Sequence, residues 1–258
     1  MSRSRLLAIT GIVIVAVAVG GFVVYDQVLR GDSIAALSLP SAAPTTAASS
    51  ATSTPTAAGS TAPAATASAA SGSSDGAVAG TWTIPAGSSQ AGYRVREQLA
   101  QLPAESDAVG RTDRVTGSIT LESKGSTTTL TAGTITVDTT SITSDESRRD
   151  NRLRSEGLET DAYPTATFTV TQPVEIPAAA LTGTPSDITL VGDLELHGVE
   201  KSVSIPAQAR LVDGTIQVAG SLSFPLSDFG ITAPNIGGFI VSIADDGTLE
   251  FLVSFTKS

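Results

Sequence analysis

The sequence predicts an all-β domain, a closed antiparallel barrel or a sandwich, behind an N-terminal membrane-spanning helix and a disordered linker. Three observations predict this. Apolar and polar residues alternate with period two along the C-terminal part of the chain. Residues 6–24 form an uncharged apolar run. Between these regions lies a stretch nearly free of charge and of large apolar side chains.

Composition narrows the function classes. The chain has 258 residues, no cysteine, and 25 acidic against 15 basic residues, for a net charge of −10. Disulfides, thiolate metal sites, cysteine nucleophiles and lipid-modified cysteines are excluded. The acidic balance argues against nucleic acid as a partner, because phosphate neutralisation needs clustered Lys and Arg. Charged residues make up only 16%, below the roughly 25% of ordinary soluble domains.

Taking the elements in order, residues 1–30 hold the run LLAITGIVIVAVAVGGFVV (6–24). At 1.5 Å per residue this spans a hydrocarbon core of about 30 Å. Arg3 and Arg5 precede it, while Asp26, Arg30 and Asp32 nearly cancel after it. The positive-inside rule then places the N-terminus in the cytoplasm and the rest outside. A cleaved signal peptide is the alternative, with Ala16 and Ala18 as its small residues, but the apolar run continues past them. Residues 31–80 are dominated by Ala, Ser, Thr, Pro and Gly. This composition reads as a disordered spacer, whose ends a coil would hold about 40 Å apart. An O-glycosylated stalk shares that composition.

Residues 81–258 carry the whole negative balance and form the folded domain. One face of each strand collects apolar or small residues. These are Val115, Gly117, Ile119 and Leu121; Ile188, Leu190, Gly192, Leu194 and Leu196; and Val203, Ile205, Ala207, Ala209 and Leu211. The series continues with Ile216, Val218, Gly220, Leu222, Phe224 and Leu226, then Leu249, Phe251, Val253 and Phe255. Lys124–Gly125, Asp213–Gly214 and Asp246–Gly247 read as hairpin turns between these runs. About eight strands joined in this way favour a barrel or a sandwich, which leave few exposed edges. A short helix is expected from Asp145 to Arg154, with Ser144 as its N-cap and cations near its end.

Five segments in order resemble the YceI-like family of polyisoprenoid-binding, lipocalin-like proteins. They are SSQAGYRVRE (88–97), RVTGSI (114–119), SDESRRDNRLRSEGLETDAYPTATF (144–168), GDLELHGVEKSV (192–203) and LSDFGI (226–231). The resemblance implies an eight-stranded antiparallel barrel around a long apolar cavity. It also implies a polyprenyl chain or isoprenoid quinone as ligand, held outside the cytoplasm, and it raises a homodimer of barrels. Many members carry histidines where this chain has Ser88 and Glu97, so ligand contacts made through those histidines do not carry over.

Candidate cavity residues are Tyr93, Val95, Ile119, Phe168, Leu194, Leu196, Phe224, Phe229 and Phe251. Ordinary barrel core is the competing reading for each. Candidate head-group contacts are Arg148, Arg149 and His197, since Arg suits bidentate phosphate binding. The competing reading pairs the arginines with Asp145, Glu146, Asp150 or Glu156, and gives His197, the single histidine, to a backbone group at a strand end. Trp82 reads as end packing, and Asn235-Ile236-Gly237-Gly238 lacks any phosphate-loop context. No cofactor or metal is expected. Three functions follow in order of preference: an extracytoplasmic, membrane-anchored carrier of an isoprenoid-type lipid, a barrel displayed for protein contacts, and a lipid-modifying enzyme. A buried lumenal carboxyl with a displaced pKa would favour the enzyme.

Overall fold

The computed structural model describes residues 34–40, 78–99, 105–233 and 240–258. The expected anchor, most of the expected linker and Asn235-Ile236-Gly237-Gly238 lie outside these. Among the described residues no helix is long and apolar enough to cross a membrane.

Eleven strand segments build an eight-stranded antiparallel barrel, because three of its strands are broken. β1 (Gly80–Thr83) and β2 (Gln90–Leu99) are halves of one strand. β3 (Ser106–Thr112) and β4 (Val115–Lys124) are halves of the next. β1 pairs with β4, and β2 with β3. β5 (Thr127–Asp138) pairs with β4 on one side. On its other side it pairs with β6 (Thr165–Val170) and β7 (Val174–Ile176), the halves of the fourth strand. β8 (Ser186–Leu196), β9 (Val199–Val212), β10 (Thr215–Pro225) and β11 (Ile240–Lys257) follow in sequence order. β11 closes the ring on β2 and β1. Closure removes the free edges that a flat sheet of this size would expose.

The alternation acts as expected. The apolar sets point inward, and Val253, Phe255, Val115 and Leu121 are among the most buried side chains. Trp82 lies in this core at 3% exposure, its indole N–H donating to the Val78 carbonyl at 2.8 Å. It packs the end of the barrel where the chain enters.

Two of the three expected turns stand. Lys124 and Thr127 flank the β4–β5 hairpin. Asp213 and Gly214 take φ of 50° and 72° between β9 and β10, as a type I′ turn requires. Asp246–Gly247 is not a turn. It lies inside β11, paired with Pro225 and Phe224, where the register against β2 shifts between Ile243 and Gly247. The extra residues are absorbed as an irregularity that re-aims the strand. A turn not expected from the sequence joins β8 to β9: Leu196 pairs with Val199, and His197 and Gly198 take φ of 53° and 71°.

The helix is shorter than expected. α1 covers Ser147–Arg152 and continues as a π-helical turn over Leu153–Gly157. Glu146, not Ser144, caps it, its carboxylate accepting from the Arg148 N–H at 3.1 Å. Ser144 instead donates its N–H and hydroxyl to the buried Asp150 carboxylate at 3.0 and 2.6 Å. α1 sits in the β5–β6 connection, at the barrel end that also carries the β2–β3, β8–β9 and β10–β11 connections. A second short helix, α2 (Ala178–Leu181), lies at the opposite end.

Residues 34–40 and 78–80 belong to the stretch expected to be a linker. Both are placed against the barrel: Leu39 and Val78 are buried, and Gly80 starts β1.

Candidate ligand-binding site

The barrel interior is not filled by its own side chains. A cavity with about 180 Å³ open to the centres of water molecules occupies the half nearer α1. A smaller one of about 40 Å³ lies toward α2. Ile135, Phe168, Leu190, Phe251 and Val253 line both, so the two lie end to end along the barrel interior, the shaft, with these side chains between them. One water centre needs roughly 10–15 Å³ of such volume, so the larger part takes far more than stray solvent.

The inward glycines do not simply leave space. A Cβ on Gly110 would stand 2.3 Å from Cε1 of Tyr93, its partner across the strands. One on Gly220 would meet the Phe251 ring at 2.7 Å, and one on Gly192 the Phe168 ring at 2.7 Å. Each glycine seats a neighbouring ring against the wall, which keeps the centre of the shaft open.

The structure sorts the expected lining. Tyr93, Val95, Phe168, Leu194, Leu196, Phe224 and Phe251 line the larger cavity, and Ile119 the smaller. Phe229 lines neither. It is 1% exposed and packs edge-on to Phe224, with ring centroids 5.0 Å apart. Ile142, Leu153 and Leu158 were not expected in the wall. They come from the β5–β6 connection and the α1 turn, whose irregular backbone carries no readable period.

Of the expected head-group contacts only Arg149 reaches the cavity. Its Nη2 lies 2.7 Å from Oε1 of Glu97, and its Nη1 lies 2.6 Å from Asp145. Arg148 is exposed and absent from the lining. Arg152 pairs with Glu156, and Arg154 donates to the Thr140 and Ile142 carbonyls. The cluster is thus mostly intramolecular, with Glu97 as a partner that sequence distance concealed. His197 is structural: Nδ1 lies 3.0 Å from the Phe229 carbonyl oxygen and Nε2 lies 3.0 Å from Glu159. Its ring also packs edge-on against Tyr163. These contacts hold a non-glycine residue in the positive-φ turn.

The α1 end of the shaft is a polar pole on an otherwise apolar tube. Glu97 is 3% exposed and faces Arg149. Burial pushes its carboxyl up, with the Arg149 guanidinium pulling the other way. Burial likewise pushes the Tyr93 phenol up to about 12, against the pull of Arg149 and with added repulsion from Asp150 and Glu97. Three buried side-chain polar atoms have no protein partner among the described residues: Tyr93 Oη, Ser106 Oγ and Arg149 Nε. All three belong to this pole, since Ser106 pairs with Glu97 across β2 and β3. Buried polar groups are normally satisfied, so their concentration at one end marks unused hydrogen-bonding capacity in the wall beside the cavity, to which Tyr93 and Arg149 contribute lining and Ser106 does not.

Comparison with known proteins places this architecture. The family model of the YceI-like domain matches residues 82–255, more than half of the chain. Protein YceI of Escherichia coli O157:H7 is 41% identical over 75 residues, which is 29% of this chain. The match spans only 35% of that relative's length. Among solved structures, a polyisoprenoid-binding domain from Saccharophagus degradans superposes with a TM-score of 0.53 at 20% identity, covering 69% of this chain and 98% of that one. BcnA from Burkholderia cenocepacia superposes with a TM-score of 0.50 at 17% identity, covering 66% and 98%. At these identities the likeness is one of fold.

Proposed function

The chain belongs to the YceI-like domain family, and from that premise we propose that its barrel binds an amphipathic lipid of isoprenoid type, tail in the shaft and head at the Glu97–Arg149 pole. The observation that carries the reading is the asymmetry of the cavity. An apolar tube ends in a charged pair with unpaired donors from Tyr93, Ser106 and Arg149 beside it. A tail gains about 25 cal/mol for each Å² of apolar surface removed from water, while hydrogen bonds to a head-group oxygen would satisfy the pole and fix the ligand's direction. The Saccharophagus degradans domain of the same fold is described as polyisoprenoid-binding, which supports a branched prenyl tail over a straight acyl one.

The protein's role would be to hold, shield or hand over such a lipid outside the cytoplasm, anchored by residues 6–24 with the N-terminus inside. Arg3 and Arg5 before the apolar run support that orientation. Protease digestion of the barrel in intact spheroplasts tests the orientation, and an intact barrel would reverse it.

Glu97 is the kind of buried lumenal carboxyl that would suit an enzyme. Its surroundings oppose that use. Arg149 at 2.7 Å holds it as an ion-pair partner, and the phenol beside it is pushed to about 12, away from the range where proton transfer is efficient at neutral pH. Binding remains the better reading. The test is to purify the full chain from membranes in mild detergent, extract with organic solvent and identify what co-purifies by mass spectrometry. A prenyl lipid near one per chain is expected. A lipid-free protein whose unfolding is unmoved by added prenyl quinones or prenyl phosphates overturns the proposal.

A further inference from the structure

Glu250 alternates with the cavity-facing Leu249 and Phe251 on β11, and although the residue borders the cavity, its carboxylate is turned to the outer face, where Arg111 and Arg94 meet it. An outward carboxylate on a barrel wall normally stays in water, yet this one is 2% exposed. Two arginines and a segment distant in sequence cover it. Arg111 donates from Nη2 and Nε to Oε1 at 2.7 and 3.1 Å, and Arg94 Nη2 lies 3.6 Å from Oε2. Arg94 also pairs with Asp107 through Nη1 at 3.0 Å, and further donors and acceptors of the cluster meet the backbone of residues 34–40. Arg94 Nη2 donates to the Ile34 carbonyl at 2.7 Å, Arg111 Nη2 donates to the Ala35 carbonyl, and the Leu37 N–H donates to Glu250 Oε2 at 3.3 Å.

We propose that the outer wall of β2, β3 and β11 is a docking surface for an extended peptide, and that its occupant is residues 34–40 of the same chain. The clamp reads main chain, not side chain. Two guanidinium groups meet two carbonyls and one carboxylate meets one amide, all charge-assisted hydrogen bonds. Selectivity comes from alternate side chains: Leu37 is half-buried and Leu39 is 9% exposed, while Ala36 and Ser38 face solvent. Extended peptides added to sheet edges divide the work in the same way, backbone for affinity and every second side chain for specificity; here arginine and glutamate side chains on the outer face stand in for an edge's main-chain groups.

Docking stands whatever the cavity holds.

The absence of cysteine from the chain makes a direct test available. In the full chain a single Leu39→Cys substitution reports docking by its rate of maleimide labelling, with Lys124→Cys in the exposed β4–β5 turn as the open reference. A docked segment opens only by local unfolding, so Leu39→Cys is expected to label at least about tenfold more slowly than the reference. Adding Leu37→Pro removes the amide that Glu250 accepts without altering any barrel residue, and should restore fast labelling. Amide exchange at Leu37 in the unsubstituted chain should show the same protection. Fast labelling of Leu39→Cys together with an unprotected Leu37 amide overturns the proposal. Protection that disappears on dilution overturns the same-chain occupant in favour of a second copy. Lipid content read on the same samples moves only the ligand proposal.

Discussion

Tyr93 and Glu97 show how single side chains set the character of the site. The Tyr93 hydroxyl is buried without a protein partner. An unmade hydrogen bond of this kind costs about 1–3 kcal/mol. Tyr93→Phe is therefore expected to stabilise the lipid-free chain by an amount of that order in denaturant unfolding, and to lower the amount of lipid retained through extraction. A loss of stability without ligand would show that the hydroxyl is satisfied from within. Glu97 makes a pH prediction. Its carboxyl is raised in the folded state, chiefly by burial, so the folded protein binds its proton more tightly than the unfolded chain. Its contribution to stability is then fully present below the unfolded carboxylate range and falls as pH rises through the folded value. Glu97→Gln removes that slope. The variant should gain stability relative to the parent as pH climbs out of the acid range, read as the difference between their melting temperatures. A difference that does not change with pH would refute the sign. Glu97 could be singled out in the sequence as a departure from a family pattern, but its pairing with Arg149 spans 52 positions, and nothing local announces it.

At the scale of elements, period-two strands were the readable part. Each inward set named from the sequence points inward, because the pleat forces every second residue to one face once closure buries that face. What failed were elements whose form depends on a partner. Asp246–Gly247 has the residues of a turn but is held in β11 by pairing with Pro225 and Phe224. His197–Gly198 has histidine where such turns usually have Asn or Asp, yet forms one, because the Phe229 carbonyl, Glu159 and Tyr163 hold the imidazole. The α1 segment is the third case. Asp150 ties its first turn to the backbone of Ser144. Asp150→Ala should cost about 1.5–3 kcal/mol, the range for hydrogen bonds to a charged group, with faster amide exchange through residues 144–157 while the strands stay protected. Uniform loss of protection would mean that the segment folds as one unit with the barrel.

For the whole molecule, the relevant quantity is the open shaft. Leu222 lines the larger cavity and is half-buried. Leu222→Trp places an indole in that space instead of removing wall. The expected outcome is a barrel with unchanged far-ultraviolet circular dichroism and no extractable lipid. Retention of lipid at the parental level would show that the ligand does not occupy this half of the shaft. The docked strap changes the geometry of the tether as well. A spacer over residues 31–80 has an extended length of about 170 Å. Docking at Ile34 leaves nine residues between Val24 and Ile34, and that span reaches at most about 35 Å. If residues 6–24 anchor the chain as proposed, the acidic barrel, which carries the chain's whole net charge, would then stay near the membrane surface.

The sequence by itself determined the class of fold, the direction of every strand face named in advance, and the apolar character of the interior. These follow from local periodicity, which the pleat converts directly into two faces. Only the tertiary structure decided that the interior is open, that glycines seat rings across the strands, that Glu97 meets Arg149, and that residues 34–40 lie on Glu250. The reason is common to all four. Each depends on which atoms closure brings together across long sequence separations, and on the low dielectric that makes their pairing matter, and neither is encoded in the spacing of residues along the chain.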